Sequence, residues 1–156
     1  MAVAAPTNVY VNYWPKDSNG IHIVESSVPA IEYTPSLSTM HRFYGWQSDD
    51  GKTWPTTPIR QYDMDWTITA GVEEECYFSL PTMGKYYRAG ISAVSNGEES
   101  AIVYTSVMYY KPSYTKIEKP SDLATDVELC IDSAQLTWDA GKEGTNNSII
   151  SYHIQY

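Results

Sequence analysis

From Asn8 to Tyr110 the sequence repeats one pattern, in which short runs with every second residue apolar are cut by clusters of Gly, Pro, Asn and Asp. A period of two sends successive side chains to opposite faces of an extended chain, so the pattern predicts half-buried strands and leaves no convincing long helix. "NVYVNYW" (8–14) is the first such run. "IHIVESSVPAIEY" (21–33) is interrupted by Pro29, giving two strands or one bent strand. "MHRFYGWQS" (40–48) leads into Asp49-Asp50-Gly51, a tight turn that accepts positive φ at the glycine. "RQYDMDWTIT" (60–69) places Tyr62, Met64, Trp66 and Ile68 on one face, and "ECYFSLP" (75–81), "KYYRAGISAV" (85–94) and "AIVYTSVMYY" (101–110) complete the set. That count and spacing predict an all-β fold, an antiparallel β-sandwich.

The pattern is broken once, by "KPSYTKIEKPSD" (111–122). Its two prolines fix φ and withhold donors, as in a short, stiff connector. The expected organisation is one domain over residues 1–112, a linker over 113–119 and a second β region over 120–156. In the second region the predicted strands are "DVELCI" (126–131), "AQLTWD" (134–139) and "SIISYHIQY" (148–156). Cys76 and Cys130 fall in different domains on this division, which predicts two free thiols. The net charge of −9 is spread over both parts, with 12 acids and 8 bases in residues 1–116 and 7 acids and 2 bases in 117–156. With no basic stripe, no nucleic-acid partner is expected. No run approaches the roughly 20 apolar residues of a membrane-spanning helix, so no membrane insertion is expected. The opening "MAVAAPTNVYVNYW" lacks the cationic and apolar segments of a signal peptide.

Reaction chemistry is not legible. His22, His41 and His153 occupy separate strands with no acidic or cysteine partner at ligand spacing, so neither a metal nor another cofactor is expected. Asp63 and Asp65 share a strand face and in principle suit a sugar ring or calcium, although a solvent-facing strand side accounts for them more simply. The run Glu73-Glu74-Glu75 fits a polar turn. Fourteen Tyr and five Trp exceed what one core holds. Trp54, Trp66, Tyr109 and Tyr110 are therefore candidate contact residues, since exposed Tyr and Trp recur at binding hot spots and stack on sugars.

Two resemblances follow from these motifs. "KPSDLATDVELCIDSAQLTWDAGKEGTNNSIISYHIQY" resembles the first half of a fibronectin type III domain, through Pro120, Leu123, Leu136, Trp138 and the run Ile149, Tyr152, Ile154, Tyr156. The resemblance makes Leu136, Trp138 and Tyr152 core residues awaiting a second sheet, and implies four further strands after Tyr156 in a longer polypeptide. "YGWQSDDGKTW" (44–54) and "GKYYRAGISAVSNG" (84–97) resemble a bacterial or phage immunoglobulin-like domain. In that resemblance Trp46 is the core tryptophan and Tyr87 is the tyrosine whose hydroxyl ties to the backbone at a sheet corner. Ala89 stands where the family often has cysteine, so Trp46 would pack on Ala89 and Ile91 instead of on a disulfide.

The pair of modules implies a non-enzymatic structural or adhesion protein of a bacteriophage particle: a head decoration, head fibre or tail-associated protein. Its partners would be other capsid or tail proteins and host-surface glycans, and it would be present in multiple copies. The competing expectation is a set of accessory modules of a secreted bacterial glycan-active enzyme or adhesin. A third, that the first domain is itself glycan-active, rests only on Asp63 and Asp65.

Overall fold

A computed structural model describes residues 2–65, 68–113, 121–126 and 135–139, and among them the secondary structure is all β. The chain divides into two compact units, Met1–Lys111 and Pro112–Tyr156.

In the first unit, β1 (Thr7–Val11), β3 (Ala30–Thr34) and β6 (Glu74–Tyr77) form a three-stranded sheet in the order β1-β3-β6. The larger sheet runs β2 (His22–Val24), β10 (Met108–Tyr110), β7 (Tyr86–Ser95), β4 (Met40–Ser48) and β5 (Arg60–Met64). Two short strands, β8 (Glu98–Glu99) and β9 (Val103–Tyr104), also pair with β7. Neighbours are antiparallel except β2 and β10. The chain crosses between the sheets from β1 through β4 and again at β5–β6 and β6–β7, while β4–β5 and β7 to β10 stay within the larger sheet.

β7 organises the larger sheet. It pairs with β4 over nine residues, Met40↔Val94 to Ser48↔Tyr86, and β8, β9 and β10 line its other edge. Asn96 and Gly97, with φ of 52° and 78°, turn β7 into β8, and paired positive φ values match the right-handed twist of a hairpin. The run 101–110, predicted as one strand, is two. Between them Thr105 keeps the ladder closed, its N–H donating to the Ala89 carbonyl and its Oγ1 accepting from the Ala89 N–H.

The core lies between the sheets. Val11, Ile31, Tyr33, Cys76 and Phe78 come from the smaller sheet and its flank. Val24, Phe43, Met64, Tyr87, Ala89, Ile91, Met108 and Tyr110 come from the larger. At its centre Phe78 meets Phe43 (5.3 Å between ring centroids) and Tyr87 (5.7 Å) edge-on. A Cβ built on Gly45 would lie 2.3 Å from Phe78 Cε2, so only glycine leaves room for this ring on the inner face of β4. The Tyr87 hydroxyl accepts from the Thr82 N–H at 3.0 Å and lies 2.8 Å from the Thr82 carbonyl and 2.9 Å from Gln47 Oε1. This ties the β6–β7 connection to the sandwich, as a tyrosine corner does. Tyr62 stacks on Phe43 and donates from its hydroxyl to the Tyr77 carbonyl, closing one side between the sheets.

Three predicted runs end differently. β1 stops at Val11, because Trp14 N–H bonds to the Asn12 carbonyl around Tyr13 at φ 67°. β5 stops at Met64, and Trp66 and Thr67 lie outside the described residues. In the second unit β11 (Ser121–Asp126) pairs antiparallel with β12 (Gln135–Asp139). β11 therefore precedes the predicted 126–131 strand, and residues 127–134 and 140–156 lie outside the described ones.

Two consequences are measurable by urea unfolding. Gly45→Ala costs about 1–3 kcal/mol by overpacking, and Phe78→Leu, which vacates the space, reduces that cost; equal costs in both backgrounds would contradict the contact. His22 and His41 are buried, and burial lowers the pKa of both below the ordinary value of 6.5. Their neutral forms are favoured in the fold, so stability present above about pH 6.5 falls as the solution is acidified below it. His41→Gln should flatten that slope.

Candidate contact surface

The alternation that sends Phe43 and Gly45 inward sends Arg42, Tyr44 and Trp46 to the outer face of the larger sheet. On β7 the same parity turns Arg88, Gly90 and Ser92 toward that face while Tyr87, Ala89 and Ile91 line the core. Gly90 makes a shallow floor: a Cβ there would lie 2.5 Å from Ile102 Cγ2 and 3.2 Å from both Trp46 Cζ3 and Tyr104 Cδ1. The rings can therefore lie close to the sheet.

At one end of this face a polar network holds the side chains. Arg42 bonds Asp63 at 2.5 Å and Glu99 at 2.9 Å, and Glu99 also accepts from the hydroxyls of Ser92 and Tyr44. Burial would raise the Glu99 pKa, but the bonds from Ser92 and Tyr44 and the Arg42 charge outweigh it and hold the carboxyl below its ordinary value. The bond from Arg42 lowers Asp63 likewise. Every charge here has a partner.

Arg88, about four residues along β7, is different. Its guanidinium carbon lies 4.3 Å from the Tyr104 ring centroid, 4.8 Å from Trp54 and 5.3 Å from Trp46, and Tyr44 stacks on Trp46 at 5.7 Å. Aromatic faces attract a cation through their quadrupole, yet they accept no conventional hydrogen bond. Arg88 Nε is buried and without a hydrogen-bond partner, and among the described residues no carboxylate pairs with this arginine. A buried charged donor left unmatched costs free energy. The rings fix the guanidinium in orientation and leave its carboxylate-binding fork unused.

The predicted site residues distribute as follows. Trp46 is 5% exposed, but it belongs to this outer layer and not to the core cluster. The packing on Ala89 and Ile91 expected for it is corrected, because those residues point to the opposite face and Phe78 occupies the inner space. Tyr87 and Ala89 are fully buried in the core. Trp54 is half-buried against Arg88. Tyr109 is half-buried beside Tyr86, at 4.9 Å between ring centroids. Tyr110 is 6% exposed within the core cluster and is corrected from contact residue to core residue, since β10 is covered by neighbours on both edges. Leu136 and Trp138 fall on β12, and the described residues extend only to its backbone. Trp66 and Tyr152 lie outside them.

Asp63 is engaged by Arg42, and Asp65 follows the end of β5. Burial pushes the free Cys76 thiol up to about 12, which keeps it protonated and unreactive at neutral pH; Cys130 lies outside the described residues. Among the described residues no three His, Cys, Asp or Glu side chains converge as a metal site. Sequence reasoning missed Tyr13, which is 90% exposed and held at positive φ between Asn12 and the half-buried Trp14. It also missed Arg88, whose parity with Arg42, Tyr44 and Trp46 across the sheet was the available signal.

The chain is similar to the crystal structure of a Fn3-like protein from Clostridium thermocellum, with 20% identity over 72% of this chain and 98% of that one and a TM-score of 0.42. No protein-family model and no curated protein matches the chain.

The Arg88 layer makes a stability prediction. Replacing Arg88 by Met keeps the apolar stem on the rings and removes an unmatched donor together with its cation–π contacts. These changes oppose one another. Arg88→Met is therefore expected to change unfolding free energy by less than about 1 kcal/mol, and a loss well beyond that in urea titration would make Arg88 a stability element.

Proposed function

We propose that this chain is a non-catalytic contact module of a bacteriophage particle, a head decoration, head fibre or tail-associated protein that presents the outer face of its larger sheet. The observation that carries the contact reading is Arg88, a guanidinium held by three rings with its buried Nε unmatched and, among the described residues, no carboxylate paired with it. Trp, Tyr and Arg are the side chains that most often dominate binding energy at protein contacts, and a rigid sandwich supplies a surface that needs little reordering on binding. The half-exposed Tyr104 adds a ring on which a sugar could stack. The virion setting is supported by the resemblance of residues 84–97 to bacterial and phage immunoglobulin-like domains, in which Tyr87 keeps its corner role. In that setting the partners are neighbouring capsid or tail proteins, with host-surface glycans as the outward ligand, and the module is present in many copies.

Peptide mass spectrometry on density-purified particles from the source culture tests the setting. The expected result is peptides of this chain co-sedimenting with capsid peptides at a fixed ratio. Recovery only from the particle-free secreted fraction would replace this reading with an accessory module of a secreted enzyme or adhesin.

A further inference from the structure

The two outer faces of the sandwich are electrically unlike. The strands of the larger sheet carry Arg42, Arg60 and Arg88 against Asp63, Glu98 and Glu99, so their charges balance, and Arg42 and Arg88 share the outer face. The three strands of the smaller sheet carry Glu32, Glu74 and Glu75 and neither lysine nor arginine. Glu32 and Glu75 are direct cross-strand neighbours and both point outward, since Ile31, Tyr33 and Cys76 point inward. Like charges in that position repel. The repulsion is softened by hydroxyl and amide donors and, among the described residues, by no cation: Tyr10 and Asn12 donate to Glu32, and Tyr77 donates to Glu75. Glu73 stands beside them, 3.1 Å from the Tyr10 hydroxyl.

This acidic face is also partly apolar. Tyr77 is 56% exposed and Tyr10 39%, flanking the carboxylates. The opposite face offers Tyr104, 44% exposed, and Trp54 around an unpaired guanidinium. Among the described residues, one face thus lacks a cation between two carboxylates, and the other lacks a carboxylate for its arginine.

We propose that a second copy of this chain docks on the Arg88 face through its smaller sheet, with Arg88 of one copy received between Glu32 and Glu75 of the next. The proposal rests on the contact role assigned above to the Arg88 face and names its occupant. The two surfaces are different, so the contact is heterologous: each added copy leaves one free face of each kind, and the product is an open stack or a ring rather than a closed two-fold pair. A carboxylate engages the guanidinium fork in two parallel bonds, and the aromatic flanks exclude water around it. The overall charge of −9 opposes non-specific clustering, so association depends on this local match.

Sedimentation equilibrium on the full 156-residue chain tests the proposal, with a matched set of charge reversals. The wild type should show an average mass that rises above the monomer value with concentration and falls back with added salt. Arg88→Glu and Glu75→Arg should each weaken association at least about tenfold. Their equimolar mixture should re-associate, because it contains one native pairing of faces and one with both charges exchanged. Arg88→Met and Glu75→Gln, which introduce no repulsive charge, should weaken it in the same direction, and thermal melts verify that each variant is folded.

A wild type that stays monomeric overturns the proposal. So does association unaffected by Glu75→Arg, which would place the contact on another surface, and so does a mixture that stays dissociated. The contact role of Arg88 is read separately, by co-sedimentation of the recombinant chain with purified particles. Loss of that binding in Arg88→Glu, with a monomeric wild type, keeps the contact role and removes the self-docking.

Discussion

The sandwich depends on the fit of one ring against one missing side chain. Phe78 sits where a Cβ on Gly45 would be, wedged edge-on between Phe43 and Tyr87. A strand shifted by one residue turns every side chain to the other face. The fit therefore fixes more than local packing. With Gly45 inward, Phe43 must also be inward, and Arg42, Tyr44 and Trp46 must be outward. The nine-residue pairing of β4 with β7 then carries the same parity to Arg88, Gly90 and Ser92.

From that parity follows an unequal sandwich. The inner faces share one apolar cluster, while the outer faces diverge. One is an aromatic layer with an arginine that no described carboxylate answers, and the other is a row of glutamates hydrogen-bonded to tyrosines. A small number of side chains makes this difference, and none of them is needed to fill the core. Arg88 gains ring contacts and carries a buried, unmatched Nε.

Much of the fold was legible because strand parity is legible. "MHRFYGWQS" gives the bounds of β4, the break at Pro29 separates β2 from β3, and the polar clusters mark the turns. Trp46 is buried, as its residue type suggests, but on the outer face of the sheet, which parity decides and residue type does not. A tryptophan in a central strand reads as core, but Trp46 shares its face with Arg42, and an arginine at a central strand position marks the solvent side. Tyr110 was illegible for a different reason. Its burial depends on β2 arriving in parallel beside β10, a pairing between residues more than eighty positions apart. The Arg88 cage likewise needs Trp54 from the β4–β5 loop and Tyr104 from β9, which no local pattern brings together.

The orientation of Trp46 is the point on which both the fold and the contact face turn, and nuclear Overhauser contacts from its indole protons read it directly. The account predicts cross-peaks to the Tyr44 and Tyr104 rings and to the Arg88 side chain. Cross-peaks to the methyl groups of Ala89 and Ile91 in their place would put the indole between the sheets, reverse the parity of β4 and remove the arginine-aromatic face.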